Sequence, residues 1–189
     1  MFGARFFINS VLLGVGLAMD ASAVSMANGF KEQNMKIGKM ALIALFFGIF
    51  QGIMPMAGYL VGHAVLSIIE RIVPYLSLIV LLYLGIRMIV GALKKEEKKE
   101  IKALTIGALF MQAIATSLDA LSVGFTLASL SLLEVAVCVT IIALETFAIS
   151  IFSVEIGKRV GTKLGDKAEI LGGAILIFIG LEIFITSFL

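Results

Sequence analysis

The chain has 189 residues, of which 60% are hydrophobic and only 15% charged, with a mean hydropathy of +1.11. Soluble domains run about 45–50% apolar and about 25% charged, so a water-soluble fold of this length is excluded and the expected class is an all-α integral membrane protein. The net charge of +2 sits almost wholly in loops, no basic-aromatic surface suggests a nucleic-acid partner, and the lone Cys138 allows neither an internal disulfide nor a multi-cysteine metal site.

The N-terminus, "MFGARFFINSVLLGVGLAMD", has the charge and apolar run of a signal peptide. The run is too long for one and contains Asp20, so it reads as the first retained span, about 7–29. Asp20 stands in "GLAMDASAVSMANG", residues 16–29. An ionised acid at the centre of a span costs about 2.5–3.5 kcal/mol on insertion scales. Its helical neighbours are Gly16, Ala23, Val24 and Ala27, small residues that let helices approach closely.

The second span, 39–62, holds "FGIFQGIMPMAG". Pro55 has no N–H, so the carbonyl of Gln51 loses its helical partner. Gln51 therefore offers a side-chain oxygen and a main-chain oxygen at membrane depth. The third span, 73–93, carries Arg87. The basic segment "KKEEKKEIK", 94–102, follows. The fourth span, 103–127, contains a second intramembrane acid, Asp119, flanked by Ala115, Thr116, Ser122 and Val123. The fifth, 135–157, has Glu145 near its middle and Glu155 near its end. The sixth, 170–189, carries Glu182.

Basic residues follow spans one (Lys31, Lys36, Lys39), three (Lys94, Lys95, Lys98, Lys99, Lys102) and five (Lys158, Arg159, Lys163, Lys167). The opposite side has Arg5 and Arg71 only. The positive-inside rule makes the basic side cytoplasmic and places both termini outside.

The two Asp motifs align, "LAMDASAVS" with "TSLDALSVG", 99 positions apart. "YLGIRMIVG" (83–91) aligns with "FIGLEIFIT" (178–186), 95 apart, and Gly62 falls on Gly157. The expected organisation is one transmembrane domain of two three-helix repeats, 1–93 and 103–189, joined by 94–102. Three spans is an odd number, so the second repeat enters the membrane inverted, a pattern of secondary transporters with sites at the midplane. Asp20 and Asp119 then face each other across a pseudo-two-fold axis. Ideal helices leave them roughly 8–12 Å apart along the normal, so bridging requires tilt or a broken helix. Inversion also sets Arg87 inward and Glu182 outward, and Arg87 is expected to meet Glu155 or the interface.

Carboxylate, amide and hydroxyl oxygens suit magnesium, calcium or manganese(II). The candidate ligands are Asp20, Asp119, Gln51, Glu145, Ser122 and Thr116. Met19, Met26, Met54, Met56 and Met111 lie nearby and are read as space-filling.

"GLAMDASAVSMANG", "FQGIMPMAG", "YLGIRMIVG", "IATSLDALSVG", "IGKRVG" and "KAEILGGAILIFIG" resemble the bacterial MntP family of manganese efflux pumps, within the lysine-exporter superfamily. The resemblance implies six spans in the inner membrane and export of manganese(II) from the cytoplasm. It implies that the family's intramembrane aspartates fall on Asp20 and Asp119, its glycine after the first motif on Gly29, and the polar residue before the span-two proline on Gln51. Glu145, Glu155 and Glu182 lie outside those motifs.

Exporting a dication against an inside-negative potential costs about 4.6 kcal/mol per 100 mV. No G-x-x-x-x-G-K-[ST] loop is present. The expectation is a secondary active transporter rather than an enzyme, with no resident cofactor, exchanging manganese for protons at the two aspartates. The alternatives are export of cadmium, iron or calcium, an amino-acid exporter, an intramembrane aspartyl protease, and a membrane scaffold.

Overall fold

The computed structural model describes residues 3–61, 63–93, 104–164 and 166–186. The linker 94–102 and Gly62 lie outside the described residues. Those described form helices α1 (Ala4–Lys31), α2 (Ile37–Val61), α3 (His63–Leu93), α4 (Ile106–Thr116), α5 (Leu118–Thr126), α6 (Leu132–Leu164) and α7 (Asp166–Thr186), with a 3-10 turn at Leu127–Ser129. No strand occurs among them.

Register follows from which residues touch. Gly14 lies against Ile142 and Glu145, the Ser22 and Ser153 hydroxyls are 2.8 Å apart, and Gly29 meets Val154, Gly157 and Lys158. Both series rise together, so α1 and α6 run parallel. On α2, Gly48 meets Ala143 and Phe147, and Gly52 meets Val139 and Ala143, so α2 runs antiparallel to α6. Phe50 packs edge-on to Phe110, with centroids 5.2 Å apart, and Gly58 meets Leu121 and Gly124. The α2 helix thus runs parallel to α4–α5. Gly85 against Gly173, Leu81 against Gly180 and Tyr75 against Phe184 make α3 and α7 antiparallel. One core gathers Ala21, Val24, Phe47, Leu81, Leu109 and Leu176; a second gathers Leu17, Ala120, Val135, Cys138 and Ile142.

Lipid offers no hydrophobic drive for helix association, so close packing of small residues has to supply it. The glycines above do so backbone to backbone. Large apolar side chains instead face outward, among them Leu12, Met19, Leu60, Tyr83, Leu144, Phe152 and Phe178. Among the described residues, three helices, α1, α2 and α6, are long and apolar enough to cross a membrane, and the bent α4–α5 pair makes a fourth if it is one span; Leu81–Leu93 in α3 and Ile170–Ile185 in α7 are shorter apolar helices. The chain is a multi-pass membrane protein.

Three boundaries depart from the sequence reading. The expected connection 63–72 is helical and continues into α3; it has neither glycine nor proline to stop it. The α6 helix runs beyond 157 to Leu164. Glu155 pairs with Lys158 at 3.3 Å and Arg159 at 2.7 Å, one turn on, which supports a solvated helical extension. The expected span 103–127 is not one helix but two. At the α6 start, Ser131 and Glu134 form a reciprocal cap: the Ser131 N–H donates to Glu134 Oε2 at 2.9 Å and the Glu134 N–H to Ser131 Oγ at 3.4 Å.

The turn between α1 and α2 shares one end of the bundle with the tail of α6. Gln33 donates to the Gly161 carbonyl at 2.9 Å, Lys158 Nζ lies 3.4 Å from Met40 Sδ, and Lys39 pairs with Glu32. The lysines of both segments therefore gather on one side.

A Cβ on Gly124 would meet the Pro55 carbonyl, the Tyr59 nitrogen at 2.7 Å and Gly58 Cα at 2.8 Å, whereas one on Gly16 would meet nothing within 4 Å. Gly124→Leu is therefore expected to cost about 1–3 kcal/mol or more, and Gly16→Ala to leave stability unchanged. Thermal unfolding of the purified protein in detergent checks both.

Candidate cation site

Asp20 lies eleven residues before the end of α1 at Lys31, roughly 16 Å into the helix. It is half-buried and lines a cavity of about 480 Å³ between α1 and α7, together with Met19, Ala23, Phe178, Ile179 and Glu182. Glu182 stands within electrostatic reach of Asp20.

Asp119 reaches its place through a break. The α4 helix stops at Thr116, Ser117 takes φ −110 and ψ 13, and the chain turns by 43° before α5. "ATSLD" favours this because short hydroxyl side chains compete for the backbone. The Ser117 hydroxyl donates to the carbonyls of Ala113 at 2.7 Å and Ile114 at 3.2 Å; the Thr116 hydroxyl donates to Gln112 O at 3.1 Å. Carbonyls orphaned by the break are thus satisfied inside the bundle. Asp119 falls in the first turn of α5, where unsatisfied N–H groups favour a carboxylate. Its Oδ1 accepts the Ala120 N–H at 2.8 Å. Asp119 is exposed, and it stands within electrostatic reach of Asp20.

The other candidate ligands are distributed differently. Gln51 is fully buried; its Nε2 donates to the Leu17 carbonyl at 2.8 Å, and its Oε1 has no partner. The α2 helix continues through Pro55, whose carbonyl faces Gly124. Glu145 buries Oε2, unpartnered, against Gly14. Gly14 is six residues nearer the N-terminus than Asp20, about 9 Å along α1 and roughly 120° around it. Thr116 is buried beside the break, and Ser122 is exposed on α5. Among the described residues, no three His, Cys, Asp or Glu side chains come together as a metal cluster. Glu155 pairs with Lys158 and Arg159, and Arg87 is exposed.

Two features escaped the sequence reading. Glu182 faces Asp20, a juxtaposition set by the register of α7 against α1. Asn28 and Gln112 form a buried reciprocal amide pair, with Asn28 Nδ2 donating to Gln112 Oε1 at 2.9 Å and Gln112 Nε2 to Asn28 Oδ1 at 3.3 Å. They lie eight and seven residues from Asp20 and Asp119, both toward the basic end. The available signal was two amides inside apolar runs at nearly equal distance from the two acids.

A family model described as "Putative manganese efflux pump", MntP, matches residues 34–184. The chain belongs to the MntP family. The MntP protein of Methanobrevibacter smithii, named "Putative manganese efflux pump MntP", is 39% identical over 93% of this chain and 95% of its own length. The like-named proteins of Crocosphaera subtropica and Campylobacter fetus are 42% and 39% identical, over 95% and 93% of this chain and 96% of each relative. No solved structure matches. As an MntP-family member with several membrane-spanning helices, the protein is a multi-pass protein of the cell membrane and a transporter by family rather than an enzyme.

The amide pair gives a direct test of packing around the site. Asn28→Ala leaves a buried Gln112 amide unpaired and is expected to cost about 1–3 kcal/mol. Replacing both residues by Leu is expected to cost less than the sum of the single replacements. Melting temperatures of the two single and one double variants in detergent decide it.

Proposed function

We propose that the protein exports manganese(II) from the cytoplasm by secondary active transport, holding the metal between Asp20 and Asp119 and exchanging it for protons. The observation that carries the reading is the break at Ser117, which brings an acid from α5 within electrostatic reach of the acid on α1. Two carboxylates so placed repel unless a cation or protons lie between them. Membership of the MntP family supplies the metal, since the relatives are named manganese efflux pumps. Carboxylates with hydroxyl and water oxygens suit this cation; Thr116 and Ser122 each lie three residues from Asp119 in sequence. Gln51 and Glu145 stand apart, against the α1 turn outward of Asp20.

The inverted-repeat reading is supported by contacts that map onto each other under a shift of 95. Gly48–Phe147 corresponds to Gly52–Ala143, and Gly85–Gly173 to Leu78–Gly180. In this reading the two halves are six spans in all, the basic end is cytoplasmic and the termini are outside. The Asn28–Gln112 pair then closes the α1–α4 interface on the cytoplasmic side of the acids, and loading requires it to part. Rocking exposes the site outward, protons neutralise the aspartates, and the metal leaves.

Proteoliposomes test this. Asp20→Asn and Asp119→Asn keep side-chain size and remove charge. Each is expected to lower manganese binding and flux by at least the about 10–100-fold that losing even an outer-shell partner of a metal costs. Wild-type flux in either variant contradicts the assignment. Preference for cadmium, iron or calcium over manganese in the wild type changes the substrate, and flux of amino acids in place of metal contradicts the reading altogether.

A further inference from the structure

Two oxygens buried without a donor belong to side chains that meet successive turns of α1. Gln51 Oε1 belongs to a side chain with no exposure, anchored by its Nε2 to the Leu17 carbonyl. Glu145 Oε2 fills the notch left by the missing side chain of Gly14, one turn before Leu17. Buried acceptors are almost always hydrogen-bonded, so a pair left open asks for a donor. The notch has no room for a hydrated ion: a Cβ on Gly14 would strike the carboxylate oxygen and also come within 3.3 Å of Ile142 Cα. A proton needs no volume, and a protonated carboxyl is itself the missing donor.

Charged neighbours do not supply an alternative. On α1 the nearest charged residues to Gly14 are Asp20 and Arg5, six and nine positions away. The α2 helix carries no charge after Lys39. On α6 itself the nearest are Glu155 and Glu134, ten and eleven positions from Glu145. On α5, which shares a core with α6, the charge is Asp119, and its electrostatic partner is Asp20.

We propose that Glu145, seated against Gly14, carries an additional proton in each cycle at a place separate from the metal. The inference rests on the exporter reading above. A proton from outside water adds to the Glu145 carboxylate, crosses as the neutral acid, and leaves to inside water, regenerating the carboxylate. If two protons replace one dication at the aspartates, that exchange moves no net charge. The proton on Glu145 makes the cycle carry one positive charge inward, so the inside-negative potential drives export.

The test uses full-length protein in liposomes with an imposed potassium diffusion potential. Wild type is expected to export manganese faster when the side corresponding to the cytoplasm is negative, moving about one charge per manganese. Glu145→Gln is expected to bind manganese as wild type does and to transport it with no net charge and no response to voltage. Glu145→Asp, which keeps an acid, is expected to retain the response, and Gly14→Ala, which fills the notch, to weaken it. Manganese binding by Glu145→Gln serves as the check that it folds; if it does not bind, the Asp and Gly14 variants decide. Voltage-independent export by wild type, or a wild-type response in Glu145→Gln, overturns the proposal and leaves the aspartate reading intact. Loss of the aspartate reading shows instead as wild-type binding in Asp20→Asn and Asp119→Asn.

Discussion

Two like charges held within electrostatic reach of each other, in the span region of a membrane protein, repel strongly unless something positive comes between them. Asp20 and Asp119 are in that position. Much of the surrounding structure serves to hold them there. The 43° break at Ser117 aims the second acid, hydroxyls of Thr116 and Ser117 absorb the carbonyls that the break releases, and the Asn28–Gln112 amide pair ties the two acid-bearing spans together nearer the basic end. Each device satisfies backbone or amide groups internally, as a bilayer requires. That leaves the carboxylates with unmet electrostatic demand, which in the proposed reading a divalent cation meets.

The bundle packs by thinning its helix contacts. Gly29 against Gly157, Gly58 against Gly124 and Gly85 against Gly173 let three helix pairs touch at backbone distance. These seams depend on shape and carry no directional bonds of their own. Helices joined in this way can shift against each other as units, which suits a transporter that moves one bundle past another around a fixed site. Side-chain hydrogen bonds between helices among the described residues include Asn28–Gln112 and Ser22–Ser153.

Much of this was legible in the sequence because an acid in an apolar run is so costly that it marks itself. Asp20, Asp119 and Glu145 stood out on that ground, as did the membrane class and the clustering of Lys31, Lys39, Lys158 and Arg159 at one end. What stayed hidden depends on register between distant helices. Glu182 occupies the sequence position that matches Arg87, and nothing local reveals that α7 slides it opposite Asp20. The partnership of Asn28 with Gln112 is hidden for the same reason. The break at Ser117 was invisible for a different one: serine and threonine are common inside spans, and whether they cap a broken helix or decorate a continuous one is decided by tertiary packing. Glu145 was visible as an acid, but the face of α1 that it meets was not.

In the proposed reading, one manganese ion is shared by the acids on α1 and α5. Diffraction from crystals of the manganese-bound protein, collected at the manganese absorption edge, tests it most directly. The account predicts a single anomalous peak between the carboxylates of Asp20 and Asp119, absent from crystals of either asparagine variant. A peak that sits elsewhere in the bundle, or that survives both substitutions, contradicts it.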